Sequence, residues 1–249
     1  MWKVLAIAEQ GLNKQLRRQD AVAQNLANVN TTGYKRKICE EKDFKACVQN
    51  SFDNRLCPAG DTNTYNDGGL LDTGVMDLTQ GSLVQTDSAL SLAINGKGFF
   101  KLLTPSGVQY TRNGNFTLDA EGTVVSHDGF PVLGTGGPIR VDGKKIEVMS
   151  DGTVRSDEDI VGKISVVDFP EPVNLTQAGD HLMSSQETPE ETTSDAGILS
   201  GYLESSNVNA LTEMVRMIES MRYSQMNEKV IKTADELLDK INNQLGKVR

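Results

Sequence analysis

Histidine is nearly absent, cysteine is scarce and no long apolar run occurs, and each shortage removes a class of function. The two histidines are His127, just before an Asp-Gly turn, and His181, in a polar stretch; both are expected in solvent. No Gly-x-Ser-x-Gly elbow supplies a serine nucleophile for either of them, so a histidine-centred triad has no support. Cys39, Cys47 and Cys57 are odd in number, share one segment and contain no C-x-x-C pair. That spacing argues against a zinc site or a full disulfide framework, and leaves one bridge with a free thiol, or three free thiols, both open. Nothing approaches the roughly 18 consecutive apolar residues of a membrane-spanning helix. Residues 1–10 also lack the pattern of a cleaved secretory signal, because Glu9, Gln10, Asn13 and Lys14 interrupt the apolar positions. The chain is expected either to stay inside the cell or to leave by a route that cleaves no signal. Apolar residues make up 37% and aromatics 5% of its 249 residues, lean for a compact enzyme and in keeping with surfaces completed by partners.

The formal charge of -9 is unevenly spread. Lys3, Lys14, Arg17, Arg18, Lys35, Arg36, Lys37, Lys42 and Lys45 make the start basic, while residues 157–195 are strongly acidic, and this balance disfavours nucleic acid as a partner. Lys35, Arg36 and Lys37 read first as a solvated helix exit near the negative end of the helix dipole, with a polyanion contact as the alternative.

What the chain does have is an amphipathic helix at each end. Leu5, Ala8, Leu12, Leu16, Val22, Ala23, Leu26 and Val29 recur at three- and four-residue steps, which places them on one face. Leu211, Met214, Val215, Ile218, Met221, Met226, Val230, Ala234, Leu237, Ile241 and Leu245 form a second stripe about 50 Å long at 1.5 Å per residue. Helices so one-sided need a partner surface. Gln15 and Gln19 interrupt the first seam, and Arg222 and Gln225 the second, where polar side chains set register. Val215, Met226 and Leu237 recur every eleven residues, and methionine, here Met214, Met217, Met221 and Met226 on or near this helix, adapts to non-identical neighbours. The first helix is expected to end between Asn28 and Gly33. The last is expected to start at Ser205 to Asn209, capped by Ser206 or Asn207.

Between the helices, Asx-Gly and Glu-Gly pairs punctuate short β-prone runs: Asn95-Gly96, Asn113-Gly114, Glu121-Gly122, Asp128-Gly129, Asp142-Gly143 and Asp151-Gly152. Such pairs between strands signal hairpins, so an antiparallel all-β domain is expected. Lys145 to Met149 and Lys163 to Phe169 read as short β-prone runs, Thr73 to Leu78 as a strand in an arm, and Gln186 to Asp195 as a mobile acidic loop. Gly96-Lys97-Gly98 lacks the third glycine and following helix of a nucleotide loop and reads as a hairpin turn. Gly134 to Pro138 lacks a Gly-Lys-Ser/Thr and reads as a flexible crossover. The carboxylates Asp119 with Glu121, and Asp157, Glu158 and Asp159, lack calcium-loop spacing and read as turn chemistry. No residue is assigned to catalysis, and no metal or cofactor is implied.

The run Asn25-Leu26-Ala27-Asn28-Val29-Asn30-Thr31-Thr32-Gly33-Tyr34-Lys35-Arg36 resembles a signature of bacterial flagellar rod and hook proteins. Gly201-Tyr202-Leu203-Glu204-Ser205-Ser206-Asn207-Val208-Asn209, continuing through Glu213 to Glu236, resembles the second signature of that family. Leu92 to Phe100 and Tyr110 to Phe116 resemble the β-domain segment of its FlgF and FlgG types. Gly129 to Ile139 leans toward the proximal, FlgF type rather than the distal, FlgG type. Two features depart from the pattern. Ser91 stands where an acidic residue commonly precedes the β motif, and residues 39–75, with all three cysteines, have no counterpart.

This resemblance implies a structural subunit that is exported uncleaved by the flagellar type III apparatus. It would stack helically with its own copies and neighbouring rod proteins, by coiled-coil-like helix packing, into the torque-transmitting shaft that crosses the periplasm, surrounded by the P ring. The expected fold is α+β: a discontinuous helical domain of residues 1–36 and 205–249, an extended arm at 37–80, and an antiparallel β domain at 81–204. Leu5, Leu12, Leu26, Val215, Ile218, Met226, Leu237 and Ile241 are expected to pack between subunits. Asn25, Asn28, Gly33, Asn207 and Asn209 are expected to shape the helix exits and satisfy backbone groups. A carbohydrate-binding adhesin and a β-domain hydrolase are the rival readings from other classes.

Overall fold

The fold was analysed in a computed structural model, which describes residues 2–38, 75–141, 146–157, 159–169, 175–177, 179, 181–185, 192–193 and 197–245. Side chains of residues 2–10, 241–245 and several positions in between lie outside this description. The chain is α+β and divides into two compact units. One gathers Met1–Ala27, Lys37–Cys39 and Asn209–Arg249; the other gathers Asn28–Arg36 and Glu40–Val208.

The first unit holds helix α1 (Trp2–Ala27), the short strand β1 (Lys37–Ile38) and helix α2 (Ala210–Leu245). Helix α1 stops at the turn-forming Asn28 to Gly33 run, as its composition requires. Gln15 bonds to Ser220 and Asn25 to Glu213, so rising numbers on one helix meet falling numbers on the other and the pair is antiparallel. The N-cap of α2 is Asn209, not Ser206 or Asn207. Its Oδ1 accepts the Thr212 amide at 3.2 Å, while its carbonyl takes the first helical bond from Glu213. Asn207 is engaged elsewhere, as described below. No described helix is long and apolar enough to cross a membrane.

The second unit is built of short strands that pair antiparallel in every register described. After β2 (Val75–Met76) come β3 (Leu83–Gln85), β4 (Leu92–Asn95), β5 (Phe99–Thr104), β6 (Gly107–Thr111), β7 (Phe116–Leu118) and β8 (Val124–Ser126). Next are β9 (Leu133–Gly134), β10 (Gly137–Pro138), β11 (Ile146–Val148), β12 (Thr153–Ser156), β13 (Asp159–Lys163) and β14 (Val166–Asp168). The last are β15 (Leu175–Gln177), β16 (Leu182–Ser185), β17 (Thr192–Thr193), β18 (Gly197–Ser200) and β19 (Tyr202–Glu204). A six-stranded sheet runs β15-β16-β6-β5-β14-β17.

Alternation along β5 explains why that sheet is buried on both faces. Phe100 and Leu102 enter a core with Leu92, Ile94, Phe116, Val124, Val132 and Val154, while the preceding Phe99, on the opposite face, joins Tyr110, Val167, Leu175 and Met183 in a second core. Edge-to-face rings close both cores: Phe100 on Phe116 at 5.2 Å, and Tyr110 on Phe169 at 4.9 Å.

Several local expectations are corrected. Hairpins form at Glu121-Gly122 and Asp151-Gly152, but Asn95-Gly96 and Asn113-Gly114 are crossings between sheets, since β4 pairs β18, β5 pairs β6 and β7 pairs β8. Gly96-Lys97-Gly98 is therefore not a hairpin turn. At Gly114 the constraint is close backbone approach: an added Cβ would lie 1.6 Å from the Leu92 carbonyl oxygen. Gly134 to Pro138 is not a crossover; β9 and β10 pair across it as a tight hairpin, with Gly134 opposite Gly137. The run from Lys163 to Phe169 is divided, because Ile164 leaves the β13 ladder to bridge Gly134 before β14 begins. His181 is not solvated: its ring is 14% exposed, and Nε2 stands 3.0 Å from Asp128 Oδ2. The cysteines, most of the expected arm, Asp142-Gly143 and most of the acidic loop lie outside the described residues.

Candidate functional site

The residues singled out in the two helical motifs fall into different settings. In the helical unit, the Asn25 side chain works like a strand edge. Its Nδ2 donates to the Lys37 carbonyl at 3.0 Å and its Oδ1 accepts the Lys37 amide at 2.9 Å. The same Nδ2 lies 3.4 Å from Glu213 Oε2, and Arg216 holds the other oxygen of that buried carboxylate at 2.7 Å. About two turns further along α2, Gln15 Nε2 donates to both the carbonyl and the hydroxyl of Ser220. Gln15 is thus a polar register pin, the role its position in the seam suggested.

Burial on α2 follows a pattern that the apolar stripe does not. Glu213, Met217, Ser220, Ser224, Asn227 and Ile231 are buried or half-buried, spaced four and three apart on one face. That face is mostly small or polar. The apolar positions Leu211, Met214, Val215, Ile218, Met221, Met226 and Val230 remain 44–73% exposed. On α1, Leu12 and Leu26 are half-buried, Val22 is buried and Leu16 is 47% exposed. The side chains of Leu5, Leu237 and Ile241 lie outside the description.

In the β unit, three distant segments converge on one carboxylate. Glu204, 1% exposed, accepts from Lys35 Nζ at 2.6 Å and the Gly81 amide at 2.9 Å on Oε1, and from Arg112 at 3.3 Å on Oε2. Lys35 also donates to the Thr79 carbonyl, and Arg112 to the Gly96 carbonyl, while its guanidinium lies 5.3 Å from the centre of the Phe99 ring. Burial lowers the pKa of both cations against the pull of Glu204. Lys35 is therefore not the solvated helix exit expected from its neighbours; it is 3% exposed. Composition gave no sign of this, because a buried lysine is identified only by its partner, here 169 residues away.

Polar side chains around the triad knit the same segments. Asn207 Oδ1 accepts the Arg36 amide at 2.8 Å, and its Nδ2 donates to the Asp77 carbonyl at 2.7 Å. Thr32 donates to Asn113, and Asn28 accepts from Thr31 within the turn. Gly33 has φ +70° and its amide donates to the Glu204 carbonyl at 2.8 Å. Arg36 reaches Asp77 at 3.1 Å. At Asp77, burial raises the carboxyl pKa, but hydrogen bonds from Thr79 and the Arg36 charge outweigh it and leave the group below its ordinary 3.8.

A depressed carboxylate stabilises the fold at pH above 3.8, and that contribution is lost as pH falls through the folded-state value. Asp77→Asn should accordingly flatten the acid limb of urea stability between about pH 5 and pH 2, by about 1 kcal/mol or less for so exposed a pair. Parallel melts of the two proteins check this; identical slopes would contradict it.

The geometry is one of interlocking segments and an exposed apolar helix face, and the comparisons agree with it. Residues 5–35 match the family described as flagella basal body rod protein, 93–156 the flagellar hook protein FlgE/F/G D1 domain, and 199–244 the flagellar basal body rod FlgEFG protein C-terminal. Lys35, Arg112 and Glu204 come one from each. The FlgG rod protein of Buchnera aphidicola is 32% identical over 96% of this chain and 98% of its own length. In Caulobacter vibrioides, the FlgG protein is 34% identical over 95% of this chain and 97% of its own, and the FlgF protein 34% over 96% and 97%. Equal identity to the two leaves the types undivided. This chain belongs to the flagellar basal-body rod protein family.

Proposed function

We infer that this chain is a structural, non-enzymatic subunit of the bacterial flagellar basal-body rod, located in the flagellum basal body. The observation that carries the assembly reading is the split between the two faces of α2. Its buried face is mostly small or polar, and its apolar stripe stays exposed over residues 211–230. Burying such a face against another subunit yields about 25 cal/mol per Å² of apolar surface. A contact between two different surfaces that does not close on itself propagates as a filament. In this reading Val215, Ile218 and Met226, with Leu5, Leu12, Leu26, Leu237 and Ile241, pack between copies and against neighbouring rod proteins. The terminal helices act as one discontinuous domain joined to the β domain by an extended arm, and the assembled shaft transmits torque across the periplasm within the P ring. The chain reaches that place uncleaved, through the flagellar export apparatus. The glycine-rich run from Gly129 to Ile139 supports the proximal, FlgF-type position.

Ile218 is 53% exposed, so Ile218→Asp should leave the monomer's thermal melt within about 0.5 kcal/mol of wild type. In an assembled subunit the same carboxylate would be buried without a partner, so incorporation into rods should fall below detection. Basal-body fractions probed for the variant protein test this; normal incorporation would remove Ile218 from the interface.

A further inference from the structure

The β unit has an asymmetry along the chain. The hairpin of β5 and β6, and that of β7 and β8, join neighbours in sequence. Strands β3 and β4, by contrast, take their ladder partners from the far end: β3 pairs β19 and β4 pairs β18, each in a two-stranded sheet. The Gly33 amide, the Thr86 amide and the Arg36 amide also wait for that end, bonding to Glu204, Gly201 and Asn207. So do two buried cations. Lys35 and Arg112 lie 169 and 92 residues before Glu204 and share its carboxylate. Without Glu204, closing the unit would bring two positive charges together out of water.

We propose that residues 197–208 are the closing element of the β unit, and that the N-terminal motif around Gly33 and Lys35 stays open until they arrive. The ordering has two causes. Contacts across such sequence separations follow local hairpins because loop closure must be overcome first. The charge arrangement makes premature closure unfavourable rather than merely slow. A chain delivered N-terminus first would thus hold the motif around Gly33 and Lys35 unlocked until residues 197–208 had emerged. This holds whether or not the chain builds a rod.

The test is pulse-labelled hydrogen exchange during refolding of the full chain from urea. The Val124 and Val132 amides, bonded to Ile139 and Val124, report local closure; the Gly33 and Thr86 amides report the closing element. Gly33 and Thr86 should gain protection together, at least about tenfold more slowly than Val124 and Val132. Glu204→Gln should slow or abolish protection at Gly33 while leaving Val124 unchanged, and adding Lys35→Met to it should restore much of the loss. Protection of Gly33 in step with Val124 would overturn the order. Wild-type protection of Gly33 in Glu204→Gln, or no recovery in the double variant, would overturn the role of charge.

Discussion

Glu204→Ala is expected to cost the β unit about 3–5 kcal/mol, much of the stability a domain of this size has to lose. The triad does not gain its importance by being strongly stabilising. Burial lowers the pKa of Lys35 despite the ion pair, which means that desolvation outweighs attraction at that site. Removal is nevertheless severe, because it leaves an Arg112 nitrogen and the Gly81 amide without their acceptor, and the Lys35 charge with only the Thr79 carbonyl. Urea unfolding followed through the aromatic signal of the β unit measures the effect, and a loss under about 1 kcal/mol would contradict it.

Gly33→Ala should be comparably damaging, at about 3 kcal/mol or more. Two costs add. The residue sits at φ +70°, where a side chain costs about 1 kcal/mol, and its Cβ would lie 2.3 Å from the Asn113 nitrogen and 2.5 Å from the Arg112 carbonyl carbon. Both obstacles are backbone, so no side chain can swing away. The amide bond to the Glu204 carbonyl would be displaced with them. Gly129→Ala is the control: φ is +82° but nothing stands within 4 Å, so only the conformational cost of about 1 kcal/mol applies. Equal melting shifts in the two variants would sink the packing argument.

Local periodicity made the helices, many of the short strands and the α+β class legible in the sequence. Ala27 ends α1 next to the run of turn residues, and Gly122 and Gly152 turn hairpins as an Asx- or Glu-Gly pair should. What sequence did not reveal were facts about partners. Asn95-Gly96 carries the same turn signal, yet β4 leaves its neighbour for β18, more than a hundred residues on. Lys35 looked solvated because its counter-charge is equally remote. Asn209 and Asn207 are both competent helix caps by type, and only the competing bonds of Asn207 to Arg36 and Asp77 settle which one caps. The stripe on α2 was legible as a stripe, and the family resemblance cast it as a packing surface between subunits. Periodicity alone did not show that it turns away from α1. That depended on Glu213, Ser220 and Asn227 lining the buried face, where periodicity alone would have placed the apolar residues.

The central claim is that this chain is a rod subunit, and electron microscopy of basal bodies from the source organism with its gene deleted tests it most directly. Rods should be absent or truncated, and restored by the wild-type gene. Intact rods in the deletion strain would contradict the account.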